Sequence, residues 1–181
     1  AVGFRASPRE ATCRRSNSVA AFPNTKLREC PCVATLLVVA VQASREVVIE
    51  APPETILEAL ADVGSVPSWS AVHKRAEVID CYPDGRPHHA KVTIRVSGIV
   101  DTEVIEYHWG PDWVVWDAGK TLQQHAQHAE YTMYRETEER TRVRFEITLE
   151  PSAPIPEFLI NRARRKILYA ATEGLRRKVM A

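Results

Sequence analysis

The chain has 181 residues and a net charge of +1, from 24 basic and 23 acidic side chains. That balance excludes a protein built mainly to bind nucleic acid, because phosphate binding needs a basic excess. The length suits one domain with a sizeable core.

Residues 1–44 hold scattered Arg, Ser, Pro and Cys without helix or strand periodicity. They are read as an unstructured extension ahead of a domain at 45–181. Their one apolar run, Val33 to Val41, is too short to cross a bilayer. An over-extended gene start, with the natural start at Val39 or Val41, explains the segment best. A signal segment cut near Ser44 is the alternative, and would make an otherwise cytoplasmic protein an exported one. Cys13, Cys30 and Cys32 fall in this segment and only Cys81 falls beyond it, so no disulfide framework is expected in the domain. Cys30-Pro-Cys32 lacks the usual zinc spacing, and no metal site is expected there.

"REVVIEAPPETI" opens the domain as a strand, with Val47 and Ile49 on one face. Pro52-Pro53 ends it, and Pro53 suits the first position of a helix. Ile56, Leu57, Leu60 and Val63 then recur at helical spacing until Gly64. "SVPSWSA" is a second short helix or turn whose one large apolar group is Trp69. Strands follow. "VHKRAEVIDCY" runs to the turn "PDGRP", and "HAKVTIRV" returns with Val92, Ile94 and Val96 on one face. Ser97-Gly98 turns the chain into "IVDTEVIEYHW", and "WVVWDA" leaves the next turn. "AEYTMYRE", with Tyr131 and Met133, and "TRVRFEITLEP", with Phe145 and Ile147, form the last hairpin around Glu138-Glu139. A long helix closes the chain, with Phe158, Leu159, Ala163, Ile167, Ala170, Ala171, Gly174 and Leu175 on its apolar face. The order predicts an α+β domain. A curved antiparallel sheet of about seven strands wraps the C-terminal helix, with two short helices after strand 1.

"EYHWGPDWVVWDAG" holds three of the four tryptophans, and two hairpin registers compete for it. A two-residue turn at Pro111-Asp112 sets Tyr107 opposite Trp116 and Trp109 opposite Val114. Ile105, Tyr107, Trp109, Val114 and Trp116 then share an inward face, and Trp113 points out. A three-residue loop instead brings Glu106 and His108 inside with Trp116. A buried carboxylate without a partner costs several kcal/mol in order of magnitude, so the first register is expected. Trp113 beside Val115 offers an outer contact, which leaves a homodimer as an expectation.

"VVIEAPPETILEALADVGSVPSWS", with Asp62, Pro67 and Trp69 closing it, resembles the opening of the SRPBCC/START-like superfamily. "PDGRP", "DTEVIEYHW", "VVW" and the C-terminal "PSAPIPEFLINRARRKILYAATEGLRRKV" resemble its polyketide cyclase/dehydrase and coenzyme Q-binding-protein-like branch. The resemblance covers about residues 45–180. It implies a helix-grip fold with a hydrophobic cavity between sheet and last helix, and a lipid, quinone or polyketide-like ligand. It does not fix a reaction.

The inward strand residues, Trp69 and the small-residue helix face are therefore the expected cavity lining. Catalytic chemistry is thinly signposted. Asp101 stands where the cyclase-like branch often has an Asp, and is a candidate polar group at the cavity mouth. Tyr107 offers a hydroxyl. Arg162, one turn after Phe158, is a candidate anchor for an anionic or carbonyl group. His88-His89 follows a turn and is expected to be solvated, and His125 and His128 point to opposite faces of a strand. No metal and no cofactor are expected. The basic flank of the last helix, Arg164, Arg165, Lys166, Arg176, Arg177 and Lys178, is expected to be solvated, without stable membrane insertion. Two functions remain: a binding protein for a small hydrophobic ligand, and a cyclase/dehydrase-type enzyme using the same cavity.

Overall fold

In a computed structural model, residues 40–181 are described. Cys13, Cys30, Cys32 and the expected gene start at Val39 lie outside them. Strand β1 (Val41–Ile49) begins inside the stretch read as an extension, because Val41 to Ser44 pair with Leu149 to Glu146 of β7. Helix α1 (Pro53–Ala61) and the single turn α2 (Val66–Trp69) follow. Then come β2 (His73–Cys81), β3 (Pro87–Val96), β4 (Ile99–Trp109), β5 (Trp113–Ala118), β6 (Gln124–Thr137) and β7 (Arg140–Pro151). The chain ends in α3 (Glu157–Tyr169), a π-helical turn (Ala170–Gly174) and α4 (Leu175–Val179), which run on as one helix.

The strands form a single antiparallel sheet in the order β1-β7-β6-β5-β4-β3-β2. Every connection from β2 to β7 is a hairpin or short loop, and the first strand returns to pair with the last. The turn chemistry sets the registers. Ser97 and Gly98 both have positive φ, the left-handed pair that a two-residue hairpin turn needs, and Val96 faces Ile99 across them. Thr137 faces Arg140 across Glu138-Glu139.

Alternation decides the faces. On β7, Thr141, Val143 and Phe145 are buried, while the outward Arg142 and Arg144 pair with Glu46 at 3.3 Å and Glu146 at 2.8 Å. The concave face packs on α1 through Ile49, Ile56 and Leu57, and on α4 through Leu175. The helix meets the sheet at its C-terminal half, where the widened π turn accepts a hydrogen bond from the sheet: the Tyr131 hydroxyl donates to the Ala171 carbonyl at 2.9 Å. Its N-terminal half stands off and has no fully buried residue. The space left between sheet and α3 is the candidate site.

Candidate functional site

The tryptophan hairpin turns at Pro111-Asp112. Tyr107 faces Trp116, Trp109 faces Val114, and the Gly110 N–H donates to the Trp113 carbonyl at 2.9 Å. The longer loop, with Glu106 and His108 inside, is not formed: both are exposed. Trp113 is 37% exposed, and its indole lies across Gly110, where a Cβ would meet it at 2.2 Å. Trp116 faces inward at the centre of an aromatic group. Its ring centroid is 5.9 Å from Tyr107, 5.7 Å from Tyr131 and 6.0 Å from Phe145.

Two chambers lie between sheet and helix. The inner one, about 90 Å³, is walled by this aromatic group with Trp69, Val92, Ile105, Trp109, Val114 and, across it, Ala171. The outer one, about 230 Å³, opens beside α3 between Val41, Ile99, Ile155, Leu159 and Ala163. Ile94, Val96, Gln127, Ile147 and Ile167 line both, so they stand where the two chambers meet, the neck. Neither chamber alone reaches the ~300 Å³ at which ligand pockets usually begin, whereas the two together just exceed it.

Several expected lining residues lie elsewhere. Phe158 is 71% exposed and Arg162 is also exposed, so neither enters a chamber. The inward stripe of α3 is Leu159, Ala163 and Ile167, and the Phe158–Arg162 stripe lies one residue, about 100°, away from it. The arginine that does reach the outer chamber is Arg164, which corrects its place on a solvated flank. Its Nε is enclosed without an acceptor among the described residues. Met133 and Ala170 are buried in packing and line neither chamber. Gly174 leaves no open volume, because Trp69 fills it: a Cβ there would sit 2.8 Å from the Trp69 carbonyl oxygen. Asp101 stands at the outer chamber, accepting from the Thr121 hydroxyl at 2.5 Å and from the Thr102 N–H at 2.9 Å.

The polar centre is a residue the sequence reading passed over. Glu103 is 5% exposed and lines the inner chamber. The Gln124 side-chain amide donates to its Oε2 at 2.7 Å, and that of Gln127 to its Oε1 at 3.4 Å. Burial, with the Asp101 charge behind it, pushes the Glu103 carboxyl up to about 7, against the opposing pull of the two amides. Near neutral pH both its protonated and its ionised forms are therefore present. Its signal was parity: Glu103 is two positions before Ile105 and four before Tyr107 on the inward face of β4. His73 joins the same chamber from β2. Its Nδ1 is 2.7 Å from the Ser70 hydroxyl, and burial lowers its pKa to about 4, so the ring is neutral. Burial and the nearby Glu103 raise the Tyr107 phenol well above its ordinary value, so it is a neutral hydroxyl at any physiological pH. Glu103, His73, Gln127 and Tyr107 thus line one apolar chamber, where Arg162 was expected and is absent. No helix among the described residues is long and apolar enough to cross a membrane.

The arrangement has clear relatives in fold. A START superfamily protein from Mycobacterium smegmatis superposes with a TM-score of 0.69 at 17% identity, over 77% of this chain and 97% of that one. The Zhui aromatase/cyclase from Streptomyces sp. R1128 gives 0.68 at 13% identity, over 78% and 94%. A protein from Thermus thermophilus gives 0.67 at 17%, over 77% and 97%. No curated protein matches the chain. Residues 40–180 match the family described as polyketide cyclase / dehydrase and lipid transport, and the chain belongs to that family.

Proposed function

We propose that the protein binds a small, largely apolar ligand that spans both chambers and places one polar oxygen on the inner-chamber side of the neck, against Glu103 and Gln127. The observation that carries this reading is Glu103, the one buried carboxyl among the described residues, in a mostly apolar enclosure. Ligand pockets of this kind are mostly apolar, with a few placed polar groups that fix orientation. Protonated, Glu103 offers a hydroxyl donor to a carbonyl. Ionised, it accepts from a phenol or alcohol. The aromatic walls favour a flat ligand, and Arg164 Nε at the outer chamber gives a second donor for an oxygen at the far end.

Ile167 lines the neck from the helix side. Ile167→Trp should block the passage and weaken binding of 2-naphthol, a flat probe with one hydroxyl, at least tenfold by calorimetric titration. Unchanged affinity in a folded Ile167→Trp protein would place the probe somewhere other than between sheet and helix.

A second reading, a cyclase or dehydrase, is favoured by the Glu103 carboxyl near neutrality beside the Tyr107 hydroxyl. A group with a pKa near the working pH is suited to moving protons at carbon. Under that reading Glu103→Gln abolishes turnover of a polyketide-type substrate and leaves its binding within a fewfold of the parent.

A further inference from the structure

The far end of the β2–β3 hairpin carries a cluster that neither chamber uses. Asp80 meets two consecutive histidines of β3. His89 Nδ1 lies 3.0 Å from Asp80 Oδ1, and His88 Nδ1 lies 3.4 Å from the same oxygen. One ligand atom from each of the three residues lies within 4.8 Å of the other two. Consecutive strand residues ordinarily point to opposite faces. Here the pairing of β2 with β3 is irregular on both sides of Asp80, and irregularities of this kind re-aim side chains. The two imidazoles end with their centroids 3.9 Å apart.

We propose that Asp80, His88 and His89 form a binding site for a zinc-type divalent cation, with solvent completing the coordination. The spacing fits. Zinc bonds of about 2.0–2.2 Å in a tetrahedral array separate neighbouring ligand atoms by about 3.3–3.6 Å. The His88–Asp80 separation is already 3.4 Å, and the His89–Asp80 separation of 3.0 Å needs only a few tenths of an ångström.

The groups behind the three ligands fit as well. His88 turns its other nitrogen, Nε2, toward Glu106 Oε1 at 3.4 Å. Donation from Nε2–H to that carboxylate selects the tautomer whose Nδ1 lone pair faces Asp80. Carboxylates commonly hold metal-bound histidines in this way. Asp80 is fixed too: the His89 backbone N–H donates to its Oδ1 at 3.0 Å.

All three ligands sit on one hairpin, closed by the Tyr82 N–H to the Arg86 carbonyl at 2.8 Å, so little ordering is left for the metal to impose. Two imidazole nitrogens and one carboxylate select a metal of the zinc, copper or nickel kind over magnesium or calcium, which prefer all-oxygen shells. None of the three lines either chamber. Occupancy should therefore stiffen the hairpin without competing with the cavity ligand.

The test is a zinc titration of the ¹⁵N-labelled full chain near neutral pH in reducing buffer. Long-range ¹H–¹⁵N spectra report the imidazole nitrogens, and equilibrium dialysis counts bound zinc. The first equivalent should move the Nδ1 signals of His88 and His89. A His88→Gln/His89→Gln protein should bind one zinc fewer than the parent, and Asp80→Asn should weaken that equivalent at least tenfold. Replacing Cys13, Cys30 and Cys32 by serine should leave the histidine shifts intact. Imidazole signals that stay still, or a double variant that binds as much zinc as the parent, would overturn the assignment.

Discussion

Replacing Glu103 by glutamine is expected to make the protein more stable than its parent at pH 8, by about 3 kcal/mol, and to leave the two similar near pH 4. The sign follows from which state holds the proton. The carboxyl titrates near 4.5 in an open chain and near 7 in the fold. Between those values the folded state binds the proton and the unfolded state does not, so the parent loses stability as pH rises through this window. Above it, the folded protein carries an ionised carboxylate in an apolar chamber, and a displacement from 4.5 to about 7 corresponds to about 3 kcal/mol. The amide of glutamine has no such titration. Gln124 or Gln127 can turn its own amide to present an oxygen, so the hydrogen bonds need not be lost. His73 acts in the opposite sense. Its buried neutral ring costs stability as pH falls from 6.5 toward 4, but it does so in both proteins and cancels in their difference. Urea denaturation of both proteins from pH 4 to pH 8 reads this directly. Parallel curves across the window would mean that Glu103 is solvated and that the chamber is not an apolar enclosure.

The second large effect is expected at Gly174. Gly174→Val should cost on the order of 3 kcal/mol by the same denaturation measurement. Glycine in a helix is ordinarily a weakness, and replacement by a larger residue ordinarily helps by up to about 1 kcal/mol. Here the added Cβ would meet the Trp69 carbonyl oxygen at 2.8 Å and Trp69 Cε3 at 3.2 Å. The first is backbone and cannot swing aside. Helix and α2 must separate, which also displaces Trp69 from the wall of the inner chamber. The variant should therefore lose both stability and affinity for a cavity probe. A Gly174→Val protein as stable as its parent would mean that α2 does not rest on the helix as described.

The fold was legible because its punctuation is local. Pro53 and Ser97-Gly98 each suit a particular backbone, and β3, β4 and β7 alternate between buried and exposed residues along much of their length. The hairpin register was legible because one slip would have buried Glu106 without a partner. The same reasoning hid Glu103. A carboxylate inside was treated as a penalty to be avoided, yet one stands inside, where Gln124 and Gln127 reach it from β6. Nothing local in the sequence announces those partners, which lie 21 and 24 residues away. His73 was hidden for a related reason: it comes from the edge strand β2, whose other residues are mostly exposed and give no inward pattern.

The helix errors have a different source. Phe158 and Arg162 were assigned inward because a large apolar residue invites burial. Leu159, Ala163 and Ile167, expected on the same face, do point inward; they fall one turn apart on a line back from Ala171 and Leu175, where the helix meets the sheet, and that line leaves out Phe158 and Arg162. That contact is tertiary, made by the Tyr131 hydroxyl on the π turn, and helical periodicity alone cannot choose between adjacent stripes. A glycine on the inward face implies open space, and only the position of Trp69 reveals that the space beside Gly174 is filled.

The four tryptophans supply the most direct test of a ligand held between sheet and helix. Each indole N–H gives its own signal in a ¹H–¹⁵N spectrum. Trp69, Trp109 and Trp116 line the inner chamber, and Trp113 lies outside it over Gly110. Titration with 2-naphthol should shift the first three signals together, with one affinity, and leave that of Trp113 in place. Movement of Trp113 alone, or of none of the four at concentrations where calorimetry detects binding, would contradict a ligand site in this enclosure.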